Sequence, residues 1–250
     1  MKKRIFRDQK EKVFLKFCGS VVSAQQEMSG AKYLAPAVLV PKIEMLDTRT
    51  LLIYEMVGIK ASKVPNSLLN SQLLGYFSRV EPVSAFENGQ TIFDQIERVS
   101  RQFLLPRGMV EKISHRPLFP VHGDLQKQNI LLVDGQLALI DFEHFVFAPL
   151  ELELVNSLFF SDGNCLDLGS LLPVLKKSGR INFEILQLML LFYSLRQVMA
   201  GRAFIEAKRR YLFGLVRLQT ILGQDLSGEP LVFPQKPAVV SFLSASTCRA

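Results

Sequence analysis

The sequence predicts an α+β fold of two lobes, in which a small antiparallel sheet with one helix precedes a larger, mainly helical lobe. Two observations predict it. The hydrophobic period is close to two in three segments of residues 1–57, and it is close to three or four in most of the chain beyond Gly58. Within the helical part, Asp134-Gly135 separates two apolar strands, which is typical of a tight hairpin turn. We therefore divide the chain into residues 1–57 and 58–250.

The small lobe is predicted to contain three strands and one helix. The predicted strands span residues 12–17, 38–45 and 50–57. Ser23 and Gln26 have the spacing of a capping box and predict a helix from Ser23 to about Leu34. The basic segment that precedes the first strand is predicted to be a frayed terminus.

The larger lobe is predicted to be helical, with a hairpin at its seam with the sheet and an irregular tail from Gly223. The predicted helices span residues 67–80, 91–104, 167–177, 183–200 and 202–222, and the hairpin spans residues 129–141. Two-lobed proteins commonly bind a ligand between their lobes. We therefore expect the hairpin to border a ligand site.

Composition excludes several classes of protein. The 250 residues are 48% hydrophobic and 21% charged, which is too apolar for a disordered chain. The three cysteines, Cys18, Cys165 and Cys248, are too far apart for a disulfide framework or a cysteine zinc site. The sequence also shows neither a secretion signal nor a membrane span, so we expect a cytoplasmic protein. The net charge of +7 favours an anionic partner without naming it.

Residues 121–143 carry the strongest chemical signal. Asp124 and Asn129 lie in a turn that leads into the first hairpin strand, and Asp141 ends the second strand. Because a hairpin returns the chain to its origin, we expect Asn129 and Asp141 side by side with Asp124 nearby. Two oxygen ligands of this kind suit Mg²⁺ held against a triphosphate, and they leave Asp124 to accept a hydroxyl proton.

These motifs are similar to those of the aminoglycoside phosphotransferase and choline kinase group within the protein-kinase-like fold. The matching residues are His122, Gly123, Asp124, Asn129, Ile140, Asp141, Phe142 and Glu143. Protein kinases usually carry His-Arg-Asp and Asp-Phe-Gly instead, so the small-molecule branch is favoured. The resemblance implies that Asp124 is the catalytic base, that Asn129 and Asp141 bind Mg²⁺, and that His122 is a structural brace. Glu143 is left open as a group that supports the metal ligands without binding the metal, or as a local hydrogen-bond acceptor.

The small lobe supplies the other residues that such a site needs. A kinase-like site uses a strand lysine for the ATP phosphates and a helix glutamate that holds the lysine, and Lys16 and Glu27 follow in that order. Taken singly, each is better explained as an exposed side chain, but together with Asp124, Asn129 and Asp141 in chain order the site is the favoured interpretation. The resemblance further implies that the Glu55 carbonyl and the Val57 amide bind the adenine edge. A buried strand that runs into a loop explains Glu55 and Val57 equally well.

Two features depart from the family pattern. The first glycine, Gly19, follows the Lys16 strand, so a glycine-rich loop over the phosphates is absent or shortened. The basic residues Lys2, Lys3, Arg4 and Arg7 could supply positive charge there instead. Glu153 stands where the family commonly has an aspartate that braces the catalytic loop, with Glu151 as the less favoured candidate.

The charge of the helical lobe bears on the phosphate acceptor. Residues 151–222 contain six acidic and nine basic side chains, whereas a pocket for a polycationic aminoglycoside should concentrate carboxylates. We therefore expect a neutral or anionic acceptor, such as a sugar, a metabolite or a glycolipid head group, and no nucleic acid. The segment Lys208–Phe213 could touch an anionic membrane surface, although a solvated helix face is the preferred interpretation.

The sequence thus predicts an ATP- and Mg²⁺-dependent phosphotransferase that acts on a small-molecule hydroxyl. The alternative from another class is a catalytically weak pseudokinase or nucleotide-binding scaffold, which the missing loop and Glu153 favour. An aminoglycoside kinase ranks below both. A protein-serine kinase ranks lowest, because no Ala-Pro-Glu segment follows the metal motif.

Overall fold

The computed structural model describes residues 4–8, 10–83, 92–160, 163–223 and 233–234. The strands in these residues are β1 (Arg4–Asp8), β2 (Val13–Phe17), β3 (Ile43–Met45), β4 (Thr50–Tyr54), β5 (Ile59–Lys60), β6 (Phe119–Val121), β7 (Ile130–Val133), β8 (Gln136–Leu139) and β9 (Val146–Ala148). The α-helices are α1 (Val21–Leu34), α2 (Asn66–Arg79), α3 (Phe93–Phe103), α4 (Arg107–Ser114), α5 (Leu152–Phe159), α6 (Leu168–Lys177), α7 (Phe183–Met199) and α8 (Phe204–Leu222). The predicted α+β class is confirmed. The division at residue 57 stays a prediction.

The first sheet has four antiparallel strands in the order β1-β2-β4-β3. The prediction of a frayed basic terminus was wrong, because residues 4–8 form β1 and pair with all of β2. Phe6 on β1 packs edge-on against Phe17 on β2, with ring centroids 5.9 Å apart, and such cross-strand aromatic pairs stabilise a sheet. Lys2 and Lys3 lie outside the described residues.

Helix α1 begins earlier than predicted. Its N-cap is Ser20, whose Oγ accepts a hydrogen bond of 3.1 Å from the backbone N–H of Ser23, so the capping box at Ser23 was wrong. The strand predicted for residues 38–45 is also shorter and begins at Ile43. Pro41 has no N–H to contribute to a ladder. Before it, Leu39 exchanges backbone hydrogen bonds with the β8 strand, and this contact ties the first sheet region to the hairpin.

The predicted hairpin is confirmed as β7 and β8, with Ile130 paired to Leu139. Asp134 and Gly135 have φ angles of 50° and 79°, the positive pair that a primed two-residue turn requires. Strand β5 adds to the other edge of β7 and makes a three-stranded sheet. The pair β6 and β9 and the helices α4 and α5 were not predicted. Helix α5 has only eight residues, all of them buried, so it is too short to show a clear helical period.

The remaining predicted helices are present with small shifts at their ends. Helix α7 forms the centre of the helical region, where it packs against α5 and α8. In the segment 208–213 of α8, Tyr211 is fully buried and Arg210 is bonded to Glu206, whereas Leu212 and Phe213 are exposed. Membrane contact by this segment stays a prediction. Among the described residues, no helix combines the length and the hydrophobicity that crossing a membrane would need.

Gly30 of α1 provides a test of how closely this helix packs against Phe142 in the segment 121–143. A Cβ added at Gly30 would lie 2.4 Å from the Cβ of Phe142, which is itself fully buried. We therefore expect Gly30→Ala to lower stability by about 1–3 kcal/mol through overpacking, although alanine is the better helix former. Gly108→Ala in α4 is the matched control, because no atom lies within 4 Å of the new methyl group. Urea unfolding should show a loss for Gly30→Ala alone, and equal responses would contradict this packing.

Candidate active site

A cleft of about 450 Å³ lies between the first sheet and the β7–β8 hairpin. Its walls are mainly apolar, and its charged end contains Lys16, Glu27 and Asp141. The other lining residues include Ile5, Phe14, Ile53, Leu131, Ile140 and the segment 54–58. A cleft of this volume, apolar with a few convergent charges, is typical of a small-molecule site.

Lys16 lies at the centre of a buried charge cluster. Strand alternation places it on the same face of β2 as Phe14, opposite Ile5 on β1. Its ammonium donates to Glu27 Oε2 at 2.5 Å and to Asp141 Oδ1 at 2.7 Å. Burial lowers the pKa of Lys16, but the two carboxylates outweigh burial and the net pKa is raised. Lys16 therefore stays charged, with an exposed fraction of only 3%.

Glu27 belongs to the buried stripe of α1 and faces the sheet. The stripe also contains Ala24 and Ala31, so Glu27 is the charged member of an otherwise apolar helix face. Burial raises the pKa of Glu27, and the Lys16 charge opposes this rise. A carboxylate in this place is costly without its lysine. The pair therefore fixes the Lys16 side chain toward the cleft.

Asp124 is half-buried and is held by three side-chain amides. Its Oδ1 accepts hydrogen bonds of 2.7 Å from Gln126 and from Asn156, and its Oδ2 accepts one of 3.0 Å from Asn129. Sequence reasoning missed Gln126 and Asn156. The available signal for Asn156 was its spacing, because it follows Glu153 by three residues and therefore shares a face of α5 with it. These bonds leave the Asp124 carboxylate little freedom to rotate.

Asn129 and Asp141 come from the two open ends of the hairpin. The Ile140 N–H donates to the Asn129 carbonyl at 3.1 Å, which places Asp141 one residue beyond the partner of Asn129. Asp141 has a φ of 67°, a left-handed conformation that aspartate tolerates better than most residues. The Asn129 Nδ2 also donates to the Asp124 carbonyl at 2.9 Å. Because its nitrogen is engaged, the amide oxygen of Asn129 is the atom suited to a cation.

The donor set fits magnesium better than a transition metal. In the described ranges, no group of three or more histidine, cysteine or acidic side chains is placed to hold a metal ion. Mg²⁺ commonly uses only one or two protein oxygens together with substrate phosphates and water. Asp141 and Asn129 offer such a pair. Glu143 Oε2 lies 3.9 Å from the Lys16 ammonium, so it shares the field of the same charge cluster.

His122 connects the Asp124 turn to the Asp141 strand end. Its Nε2–H donates to the Ile140 carbonyl at 2.9 Å, and its Nδ1 accepts from the Asp124 N–H at 3.3 Å. Burial lowers the pKa of His122, so the ring is neutral, and this pattern of one donor and one acceptor needs a neutral ring. His122 therefore sets the distance between the Asp124 turn and Asp141.

Glu153 holds the backbone of the Asp124 turn. It is 1% exposed and accepts hydrogen bonds from the Tyr76 hydroxyl at 2.6 Å, the His122 N–H at 2.7 Å and the Gly123 N–H at 3.3 Å. Burial raises the pKa of Glu153 to about 7, against the effect of these donors. Glu151 belongs to a separate network with Arg116 at 2.9 Å. Of the two glutamates, it is Glu153 that contacts the turn.

The segment after β4 forms one wall of the cleft. No backbone hydrogen bond within the described parts of the chain uses the Glu55 carbonyl or the Val57 amide. The Glu55 side chain accepts from Arg7 at 2.6 Å, which ties β1 to this segment. The Glu55 carbonyl and the Val57 amide therefore remain available to a ligand in the cleft.

The connection between β1 and β2, residues 9–12, contains no glycine.

Comparison with known proteins identifies the fold. No protein-family model matches the sequence, and no curated protein matches it significantly. Among solved structures, the aminoglycoside phosphotransferase APH(2")-IIa in complex with gentamicin has a TM-score of 0.58 at 14% identity, over 89% of this chain and 88% of that chain. APH(4)-Ia in its apo form has a TM-score of 0.55 at 14% identity, over 88% and 91%. ADP-bound APH(2'')-Ib has a TM-score of 0.57 at 13% identity, over 85% and 93%. The chain thus has the protein-kinase-like fold of aminoglycoside phosphotransferases, as its motifs predicted.

Proposed function

We propose that this protein is a phosphotransferase that moves the γ-phosphate of ATP to a hydroxyl group of a small molecule. The observation that carries the proposal is the buried junction at Lys16. Residues 125 positions apart in the chain meet there, since Lys16 donates to both Glu27 and Asp141 at the charged end of one cleft. The fold supports this function, because similar structures include a streptomycin-ATP complex and an ADP-bound enzyme.

ATP fits the two chemical zones of the cleft. The apolar walls suit the adenine ring, and the Glu55 carbonyl and Val57 amide would bind its edge. Lys16 would bind the phosphates, and Glu27 would keep it charged and in place. Asp141 and Asn129 would hold Mg²⁺, which would neutralise phosphate charge during transfer. The Lys16–Asp141 contact of 2.7 Å would then give way to contacts with the nucleotide.

Asp124 would act on the acceptor. The acceptor oxygen forms a bond to the γ-phosphorus, the bond to ADP breaks, and the hydroxyl proton passes to the Asp124 carboxylate. Gln126, Asn129 and Asn156 would orient this carboxylate through the three amide bonds. Glu153 would position the turn through the His122 and Gly123 N–H groups. In this way little covalent work falls to the protein, and positioning supplies much of the rate.

A pseudokinase is the second candidate function. The observation that favours it is the short β1–β2 connection without glycine, since backbone amides of a glycine-rich loop commonly cover the phosphates. A pseudokinase would bind ATP at the same cleft and release no acceptor-dependent ADP. The two candidates therefore share a binding site and differ in turnover.

The metal assignment can be tested through thermal stability. ATP with Mg²⁺ at about 100 times its Kd should raise Tm by roughly 5–10 °C, because a ligand that binds the folded state stabilises it. Asp141→Asn should remove most of the Mg²⁺-dependent part of the shift, measured against ATP with EDTA. Asp134→Asn is the matched control, since Asp134 also has a positive φ but lies in the exposed hairpin turn. An unchanged Mg²⁺-dependent shift in Asp141→Asn would refute this assignment.

A further inference from the structure

Arg196 on α7 is a partly buried cation without a partner. Across the described ranges, its guanidinium makes neither an ion pair nor a hydrogen bond, and burial lowers its pKa. The other arginines nearby are engaged: Arg202 and Arg210 bind Glu206 at 2.7 and 2.9 Å, and Arg217 donates to two carbonyls. A partly buried guanidinium without a counter-charge loses some hydration without compensation. Within the described residues, Arg196 thus has neither an acidic nor a carbonyl partner, unlike Arg202, Arg210 and Arg217.

Contacts through α5 connect Arg196 to Asp124. It follows Tyr193 by three residues, so the two side chains share one face of α7. The Tyr193 ring packs edge-on against Phe159 of α5, with centroids 5.1 Å apart. Asn156, three residues before Phe159 on the same helix, donates to Asp124 at 2.7 Å. Helix α5 thus links the Asp124 carboxylate to the neighbourhood of Tyr193 and Arg196.

The charges that act on the Tyr193 hydroxyl indicate the same grouping of Tyr193, Arg196 and Asp124. Burial first, and then the charge of Asp124, raise the pKa of Tyr193 to about 12, while Arg196 and Arg202 act in the opposite direction. The Tyr193 hydroxyl therefore lies in the electrostatic field of the Asp124 carboxylate and of both guanidinium groups. Arg202 also stacks over Phe159, with its guanidinium 5.9 Å from the ring centre. Buried aromatic rings and two guanidinium groups are thus grouped where α5 packs against α7.

We propose that the phosphate acceptor carries an anionic group, a carboxylate or a phosphate, that binds Arg196 while its hydroxyl lies at Asp124. This inference rests on the proposed function. Arginine matches both anions because its planar fork can donate two parallel hydrogen bonds. Tyr193 would line the space between the two ends of the acceptor. A polycationic aminoglycoside does not fit here, because its ammonium groups would face Arg196 and Arg202.

Arg196 has a binding role in this scheme and no chemical one. The acceptor hydroxyl oxygen bonds to the γ-phosphorus, the bond to ADP breaks, and Asp124 takes the proton, while Arg196 stays protonated throughout. Removing Arg196 should consequently raise the KM for an anionic acceptor and leave kcat nearly unchanged. A higher KM with an unchanged kcat distinguishes a residue that binds the acceptor from one that only supports the fold.

The direct test is anion binding with the nucleotide cleft occupied. In the presence of saturating ADP and Mg²⁺, the affinities of inorganic phosphate and of acetate are measured by calorimetry for wild type, Arg196→Gln and Arg196→Lys. We expect at least one of these anions to bind wild type about 10–100-fold more tightly than Arg196→Gln, with Arg196→Lys between them. The preferred anion identifies the group on the acceptor. Arg209→Gln, which removes the same charge from an exposed position on α8, should match wild type.

Acceptor turnover supplies the second measurement. ADP release is compared for glycerol, glycerate and glycerol 3-phosphate, and for ribose and ribose 5-phosphate. The inference would be supported if wild type preferred the anionic compounds and Arg196→Gln lost that preference. It would be overturned if phosphate bound wild type and Arg196→Gln with equal affinity, and acetate did the same. Failure of the proposed function looks different, since ATP would then not bind or Asp124 would not affect turnover. Anion binding decides the inference even if none of these compounds is phosphorylated.

Discussion

Asp124→Asn should lower turnover by roughly 10²–10⁴-fold and leave ATP affinity nearly unchanged. The reason is that, under the proposed function, Asp124 would act on the acceptor hydroxyl in the transition state, whereas the cleft around Lys16 would hold ATP. The measurement is acceptor-dependent ADP release, combined with the ATP-induced shift in Tm. Asp134→Asn, the same chemical change in the exposed hairpin turn, should behave as wild type.

The structure also identifies what could confound this test. Asp124 accepts three amide hydrogen bonds, and an asparagine there would place one amide nitrogen against another amide donor. Asp124→Ala removes that conflict and should lose turnover to a similar extent. If both variants retained wild-type turnover, Asp124 would not be the base. If both lost ATP binding as well, the role of Asp124 would be structural.

Lys16→Ala should weaken ATP binding by about 10–100-fold and slow transfer as well, because a charged hydrogen bond to phosphate is lost in both states. It should also destabilise the protein by about 3–5 kcal/mol, since Glu27 is left buried without its partner at 2.5 Å. Lys10→Ala, at an exposed position before β2, is the matched control. Calorimetric ATP titration and urea unfolding give the two quantities separately.

A double variant distinguishes the two effects of Lys16. Lys16→Met with Glu27→Leu replaces the buried pair by apolar side chains, a change that commonly recovers stability. We expect the double variant to unfold close to wild type and still to bind ATP weakly. Recovery of ATP affinity together with stability would mean that Lys16 supports the fold and does not bind phosphate.

The parts of the fold with a clear local signal could be predicted from the sequence. Asp134-Gly135 predicted the hairpin turn. The hairpin in its turn determines where Asn129 and Asp141 lie relative to each other. The terminal strand β1 could not be predicted in this way. Its five residues become a strand only through pairing with β2, and a short basic segment carries no period that reveals its partner.

The same limit applies to the site. The motif and the order of residues along the chain predicted Lys16, Glu27 and Asp124 as site residues. They did not predict the residues that hydrogen-bond to Asp124. Asn156 reaches Asp124 from α5, a helix of eight residues that is too short to show a clear helical period. The missing partner of Arg196 is invisible in sequence as well, because it depends on which charges the fold brings within reach.

The central claim is that this cleft transfers phosphate, and acceptor-dependent ADP release tests it most directly. Purified protein with ATP and Mg²⁺ is screened against a panel of small hydroxylated compounds, neutral, anionic and cationic, with Asp124→Asn run in parallel. The account predicts ADP release above the acceptor-free background for at least one compound, formation of its phosphorylated product, and loss of both in Asp124→Asn. ATP binding without acceptor-dependent ADP release across the whole panel would contradict the account and favour a pseudokinase.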